Sequence, residues 1–111
     1  MERKTVAIYI RVSTLDQAKE GYSLDAQEKI LRKWCGEHKY DVYDLYADRG
    51  ISAKDIEHRP DMTRLLQDAE HHKFDLVLFW ALSRFTRSVS DLYSTLAKFA
   101  KWNIAMTSYT E

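Results

Sequence analysis

The sequence predicts an α/β domain built on a mostly parallel sheet of four strands, or slightly more, flanked by helices. Three observations predict it. Apolar strand-like runs alternate with amphipathic helical stripes along the chain. One run, Asp75-Leu76-Val77-Leu78-Phe79-Trp80, is nearly continuous in apolar residues, as a central strand covered on both faces requires. The 111 residues suit a single domain. Folding at that size buries roughly 60–70% of the unfolded chain's surface, enough for a core without metal or disulfide.

The elements follow in order. Thr5 to Val12 reads as the first strand, with β-branched Val6, Ile8, Ile10 and Val12. A polar loop runs to Tyr22, and Ser23 suits an N-cap with Asp25 and Glu28 close behind it. The first helix then extends to about His38, carrying Leu24, Leu31, Trp34, Cys35 and His38 at helical spacing. Val42 to Ala47 is the second strand and Asp48 to Arg59 a loop. Pro60 suits the first position of the second helix, whose stripe is Met62, Leu65, Leu66 and Ala69. The third strand follows at Asp75 to Trp80. A third helix from about Ser88 places Val89, Leu92, Tyr93, Leu96, Phe99 and Ala100 on one side. Asn103 ends it, and Ile104 to Tyr109 is the fourth strand.

Composition narrows the function. Apolar residues make up 45% of the chain and aromatics 13%, as in a globular protein, and the low Gly and Pro counts argue against disorder. Cys35 is the only cysteine, which rules out an internal disulfide and favours a reducing, cytoplasmic setting. No apolar run approaches the ~20 residues of a membrane helix. The opening Met1-Glu2-Arg3-Lys4 leads into a strand rather than a signal peptide. Seventeen basic residues balance seventeen acidic ones, so no global field draws the domain to nucleic acid. Any phosphate recognition must then come from local clustering, and a chain with this charge balance is expected to grip nucleic acid mainly through some other domain.

Such clustering is present. In a parallel sheet, ligands sit beyond the carboxyl ends of the strands. The segments leaving strands one, two and three are Arg11-Val12-Ser13-Thr14, Asp48-Arg49-Gly50-Ile51-Ser52 and Ser83-Arg84-Phe85-Thr86-Arg87. Arginines and hydroxyls therefore converge on one edge. Arg11 either pairs with a carboxylate such as Asp48 or grips a phosphate beside a nucleophilic Ser13. Gln27 falls on the apolar stripe of the first helix, so its amide needs an inward partner, which is either loop backbone or a ligand. Arg84 and Arg87, three apart near a helix start, form either a solvated basic patch or, as we favour, a two-pronged cationic clamp.

Taken together these segments resemble one family. Tyr9-Ile10-Arg11-Val12-Ser13-Thr14, Ser23-Leu24-Asp25-Ala26-Gln27, Asp48-Arg49-Gly50-Ile51-Ser52-Ala53, Arg59-Pro60 and Leu82-Ser83-Arg84-Phe85-Thr86-Arg87 look like the catalytic domain of serine site-specific recombinases. The long loop with Gly21-Tyr22-Ser23-Leu24 looks more like the large integrases and transposases than the small resolvases and invertases. The resemblance implies a resolvase-like, flavodoxin-like three-layer sandwich. It implies that Ser13 becomes joined to a DNA 5′ phosphate while a 3′ hydroxyl leaves. Arg11, Arg84 and Arg87 match arginines that bind the scissile phosphate, and Gln27, Asp48, Ser52 and Arg59 match supporting positions. Ser83 stands where many relatives carry Asp, so no carboxylate role passes to it.

The implied reaction needs no metal, no ATP and no other cofactor, because fixed guanidiniums stabilise the charge of the phosphoryl transition state. The implied partners are DNA recombination sites and further copies of the full-length protein, as a dimer or tetramer. Two rival functions stand beside this one. A metal-dependent nuclease would need carboxylates at the strand ends, where Arg11 stands instead, and His71-His72 lack partners at ligand spacing. A non-catalytic phosphate-binding or protein-interaction module explains the basic edge but not the joint match of Ser13, Gln27 and Arg59. Residues 1–111 are expected to be one catalytic domain without the dimerisation helix and DNA-binding domains of relatives.

Overall fold

The computed structural model describes residues 4–12, 24–49, 60–80 and 89–110. Within them lie strands β1 (Thr5–Val12), β2 (Asp41–Arg49), β3 (Leu76–Phe79) and β4 (Ala105–Ser108). Between the strands lie helices α1 (Leu24–Glu37), α2 (Pro60–Glu70) and α3 (Val89–Lys101). All strand pairings are parallel, and the sheet order is β2-β1-β3-β4. The predicted class and element order hold. Right-handed crossovers then place α1 on one face and α2 and α3 on the other.

Two cores follow from that division. On the α1 face, Val6, Ile8 and Ile10 pack with Leu31, Cys35, Leu76, Leu78 and Trp80. On the other face, Ala7, Tyr9 and Tyr46 pack with Met62, Leu65, Ala69, Phe74, Val77, Phe79, Phe99 and Ile104. β1 and β3 supply both clusters by strict alternation, which explains their near-continuous apolar sequence. Strand β2 does so with one irregularity. Its register slips so that Val6 faces Val42 but Ala7 faces Asp44, leaving Tyr43 as an extra residue. That bulge lets Val42 pack on the same face as Leu45 and Ala47, although the sequence spacing alone would send it to the other.

β2 is an edge strand, and side chains cover part of its free edge. The Leu45 N–H donates to Asp44 Oδ1 (2.7 Å), the Leu45 carbonyl accepts from Arg64 (3.1 Å), and the Ala47 N–H donates to Asp61 Oδ2 (2.8 Å). Arg64 also bonds Asp44 at 2.7 Å and lies 4.1 Å over the Tyr46 ring, which pins α2 to the strand. An edge occupied in this way is a poor template for another strand.

The predicted stripe of α3 is narrower than the sequence suggests. Thr95 and Phe99 are buried and Leu92 and Trp102 partly so, while Tyr93, Leu96 and Ala100 are exposed. Residues 92, 95, 99 and 102 make a seam one residue wide, because the short strands beneath this helix leave little surface to cover. His71 and His72 lie just beyond α2 rather than on it, and both are exposed, as surface residues.

The helices end in one way. Lys39, His72 and Asn103 each take positive φ (59°, 50° and 60°). The following amide reaches back to close each turn: Tyr40 to Cys35, Lys73 to Asp68 and Ile104 to Phe99. This is the Schellman arrangement, with side chains where glycine is easiest. Lys39 is exposed. Lys39→Gly is therefore expected to stabilise the domain by about 0.5–1 kcal/mol, the left-handed penalty less the added freedom of the unfolded chain. Urea unfolding measures it, and a lower midpoint for the variant contradicts the account.

Acid sensitivity also has named sources. The Thr5 N–H, donating to Asp75 Oδ2 at 3.0 Å, holds the Asp75 carboxyl below its ordinary range; burial opposes this and His72 assists. The Arg64 hydrogen bond does the same for Asp44. Both folded-state pKa values are depressed, so the stabilisation is fully present above about pH 4. It is lost as pH falls through the lower, folded values. Urea midpoints should stay level from neutrality to about pH 4 and then fall, and Asp75→Asn should flatten part of that fall.

Candidate active site

The order β2-β1-β3-β4 contains a switch point. From β1 the chain crosses to β2 on one side, and from β3 it crosses to β4 on the other. The crevice beyond the carboxyl ends of β1 and β3 is where such sheets hold ligands. Because each helix runs back against the strands, the N-termini of α1, α2 and α3 also gather at this edge. Their free N–H groups favour negative charge there.

Arg11 stands beside the crevice. It lies two residues past Tyr9, the last β1 residue paired with β3, and it is only 1% exposed. Alternation puts it on the Tyr9 face of the sheet, and its register partner across β2 is Asp48. A guanidinium buried at a strand end is costly unless hydrogen-bonded and charge-matched, so its neighbours matter.

Asp48 is the hub of those neighbours. The sequence reading placed it in a loop, but β2 continues through it to Arg49. Its Oδ1 accepts the Asp61 N–H (3.0 Å), and its Oδ2 accepts the Met62 N–H (3.1 Å) and the Tyr9 hydroxyl (2.8 Å). Pro60 opens α2 and has no N–H, so Asp61 and Met62 hold the first amides of the helix that need a partner. A strand carboxylate therefore does the work of an N-cap. Asp61 returns the contact through the Ala47 N–H. This lock fixes the start of α2, which Arg59 precedes by one residue in the sequence.

Gln27 is fully buried on α1, in the row with Leu31 and Cys35 that faces the sheet. Neither its amide oxygen nor its nitrogen finds a hydrogen-bond partner among the described residues. A buried primary amide without partners costs about 1–3 kcal/mol, so its place calls for a group that is polar. Gln27 lies on the α1 face and Arg11 on the opposite one, both at the carboxyl edge. The other predicted site residues, Ser13, Ser52, Arg59, Ser83, Arg84 and Arg87, and the Ser23 cap fall outside the described residues.

Sequence reasoning missed Tyr9 and Asp61. Tyr9 enters the sequence reading only as part of the Tyr9-Ile10-Arg11 segment, although its polar tip two residues before Arg11 is a signal. Asp61 follows Pro60 directly, where a first-turn carboxylate is common enough to pass unnoticed.

The family model for the resolvase N-terminal domain matches residues 6–111. The chain belongs to the resolvase family. The domain is of the serine recombinase type, which ties it to site-specific DNA recombination. Among solved structures it is similar to the N-terminal catalytic domain of TP901-1 integrase, at 44% identity and a TM-score of 0.86. That match covers 96% of this chain and 79% of the other. It is also similar to a resolvase family site-specific recombinase from Streptococcus pneumoniae (33% identity, TM-score 0.79, 96% of this chain, 72% of that one). Among curated proteins, a Bacillus subtilis (strain 168) protein named "Putative DNA recombinase" is 38% identical over 76% of this chain. The match takes in only 16% of that protein's length. The "Uncharacterized immunity region protein 3" of Bacillus phage phi105 is 51% identical over 60% of this chain and 80% of its own. Among the described residues of this resolvase-family chain, no helix is long and apolar enough to cross a membrane.

Proposed function

We propose that this domain cuts and rejoins DNA at specific sites with Ser13 as the nucleophile. The Ser13 oxygen attacks a DNA phosphorus, forming a 5′-phosphoserine bond, as the bond to the 3′ oxygen breaks. The serine proton departs and the leaving oxygen gains one, so the 3′ end is a hydroxyl. Rejoining reverses each step, and the retained ester energy makes ATP unnecessary. Arg11, Arg84 and Arg87 bind the scissile phosphate and its transition state. Gln27 supplies hydrogen bonds at the edge, and Asp48 and Arg59 support the site from the start of α2. Ser52 and Ser83 add hydroxyls from the neighbouring segments. In the full-length protein, paired copies bring the strands together at recombination sites.

The observation that carries this reading is Arg11, a fully buried guanidinium at the carboxyl end of a central strand beside the switch point. The test is to quench the full-length protein on a DNA site, digest the covalent complex and map the modified residue by mass spectrometry. An ester on Ser13 is the expected result. An ester on any other residue sinks the assignment.

The reaction is further proposed to need no metal ion, since the end of β1 offers Arg11 where a metal-dependent nuclease would need a carboxylate. Cleavage is expected to proceed equally well in EDTA. Loss of cutting in chelator, restored by magnesium, would favour a metal-dependent nuclease instead.

A further inference from the structure

β3 ends at the carboxyl edge, and hydrogen bonds from the chain after β4 continue past its last residue. Beyond the last paired residue of β4, the Tyr109 N–H donates to the Phe79 carbonyl (2.9 Å) and the Thr110 N–H to the Trp80 carbonyl (3.1 Å). Ser108 Oγ adds a longer bond to the same Trp80 carbonyl at 3.4 Å. The Tyr109 ring then stacks on the Trp80 indole, with centroids 5.1 Å apart and planes 21° apart. Trp80 is 6% exposed and Tyr109 is 41% exposed. An aromatic lid of this kind adds little to the core, yet it clamps the residue from which the chain leaves the sheet. Arg84 and Arg87 follow Trp80 by four and seven residues.

We propose that Trp80 and Tyr109 are positioning residues for the cleavage reaction: their stack fixes the residue from which the chain leads on to Arg84 and Arg87. The proposal rests on the reading of Arg84 and Arg87 given above. Backbone hydrogen bonds fix the height of Trp80 along the sheet, and the flat ring contact, with the indole anchored in the α1-side core, fixes its side chain as well. Catalysis by bound arginines depends steeply on placement, and a shift of about 1 Å can cost about a hundredfold in rate.

The test uses full-length protein and a DNA site at saturating concentration, with the rate of Ser13 adduct formation and the DNA affinity both measured. Tyr109→Ala and Tyr109→Leu should each slow adduct formation about ten- to a hundredfold with affinity unchanged. Tyr109→Phe, which keeps the ring, should match the wild type. Tyr43→Ala serves as the control, because Tyr43 is also half exposed (44%) and leans on the core at Phe74, but it sits near the start of β2. It should leave the adduct rate intact. Unchanged rates in the Ala and Leu variants overturn the proposal. So does a loss confined to affinity, which would make Tyr109 a DNA contact, or a Phe variant as slow as the Ala variant. An equal loss in Tyr43→Ala would reduce the effect to general destabilisation and overturn it too. A wild-type protein that forms no Ser13 adduct refutes the underlying reading; a normal adduct with no effect at Tyr109 refutes the stack alone.

Discussion

Ser13→Ala is expected to abolish the covalent protein–DNA adduct and all recombinant product in the full-length protein. The loss should reach about 10⁴-fold or more, because the missing atom is the one that forms the new bond. Arginines that remain can still bind phosphate, so DNA affinity should hold, and the missing hydroxyl should barely alter the melting temperature. Residual cutting by water would leave free ends without attached protein, and a denaturing gel separates the two outcomes. A variant that still forms an adduct, mapped to a second residue, would transfer the nucleophile's role away from Ser13. A variant that loses DNA binding as well would show that the hydroxyl serves the complex before chemistry begins.

Most of the fold was legible because the β-branched run of β1, the nearly continuous apolar run of β3 and the Met62, Leu65, Ala69 stripe are local patterns that tertiary structure merely uses. The misplacement of Asp48 in a loop and the unforeseen bulge at Tyr43 have a common physical origin, since both depend on residues elsewhere in the chain. Aspartate is a poor strand residue until α2 offers it two amides, and Tyr43 becomes a bulge only because Val42 and Leu45 must share a face. The α3 stripe was read too wide, since periodicity reports which residues are apolar but not how broad a surface lies beneath them. At the site, residue types and spacing identified Arg11 and Gln27, and the structure buries both. Spacing carried no information on which face of the sheet each would occupy.

Asp48→Ala is expected to be the most destabilising single change at this edge. It removes the acceptor of three donors at once: the Tyr9 hydroxyl and the amides of Asp61 and Met62. Each buried donor left unpaired costs about 1–3 kcal/mol, and partial entry of water relieves some of it. Loss of the cap on α2 falls within the same sum, so a total of about 3–5 kcal/mol is reasonable. For a domain near this size, that lowers the melting temperature by about 15–30 °C. Tyr9→Phe removes one donor together with its need, and should cost about 1 kcal/mol. In the Asp48→Ala background the same change should cost less, because the hydroxyl has already lost its bond to Asp48, giving a coupling energy above about 0.5 kcal/mol. Asp48→Asn keeps one accepting oxygen and should fall between the two. Calorimetry of the four proteins measures the cycle, and amide exchange at Asp61 and Met62 reports the cap itself. If Asp48→Ala melts with the wild type and those two amides stay protected, the carboxylate does not hold α2, and its burial beside Arg11 must serve the phosphate site instead.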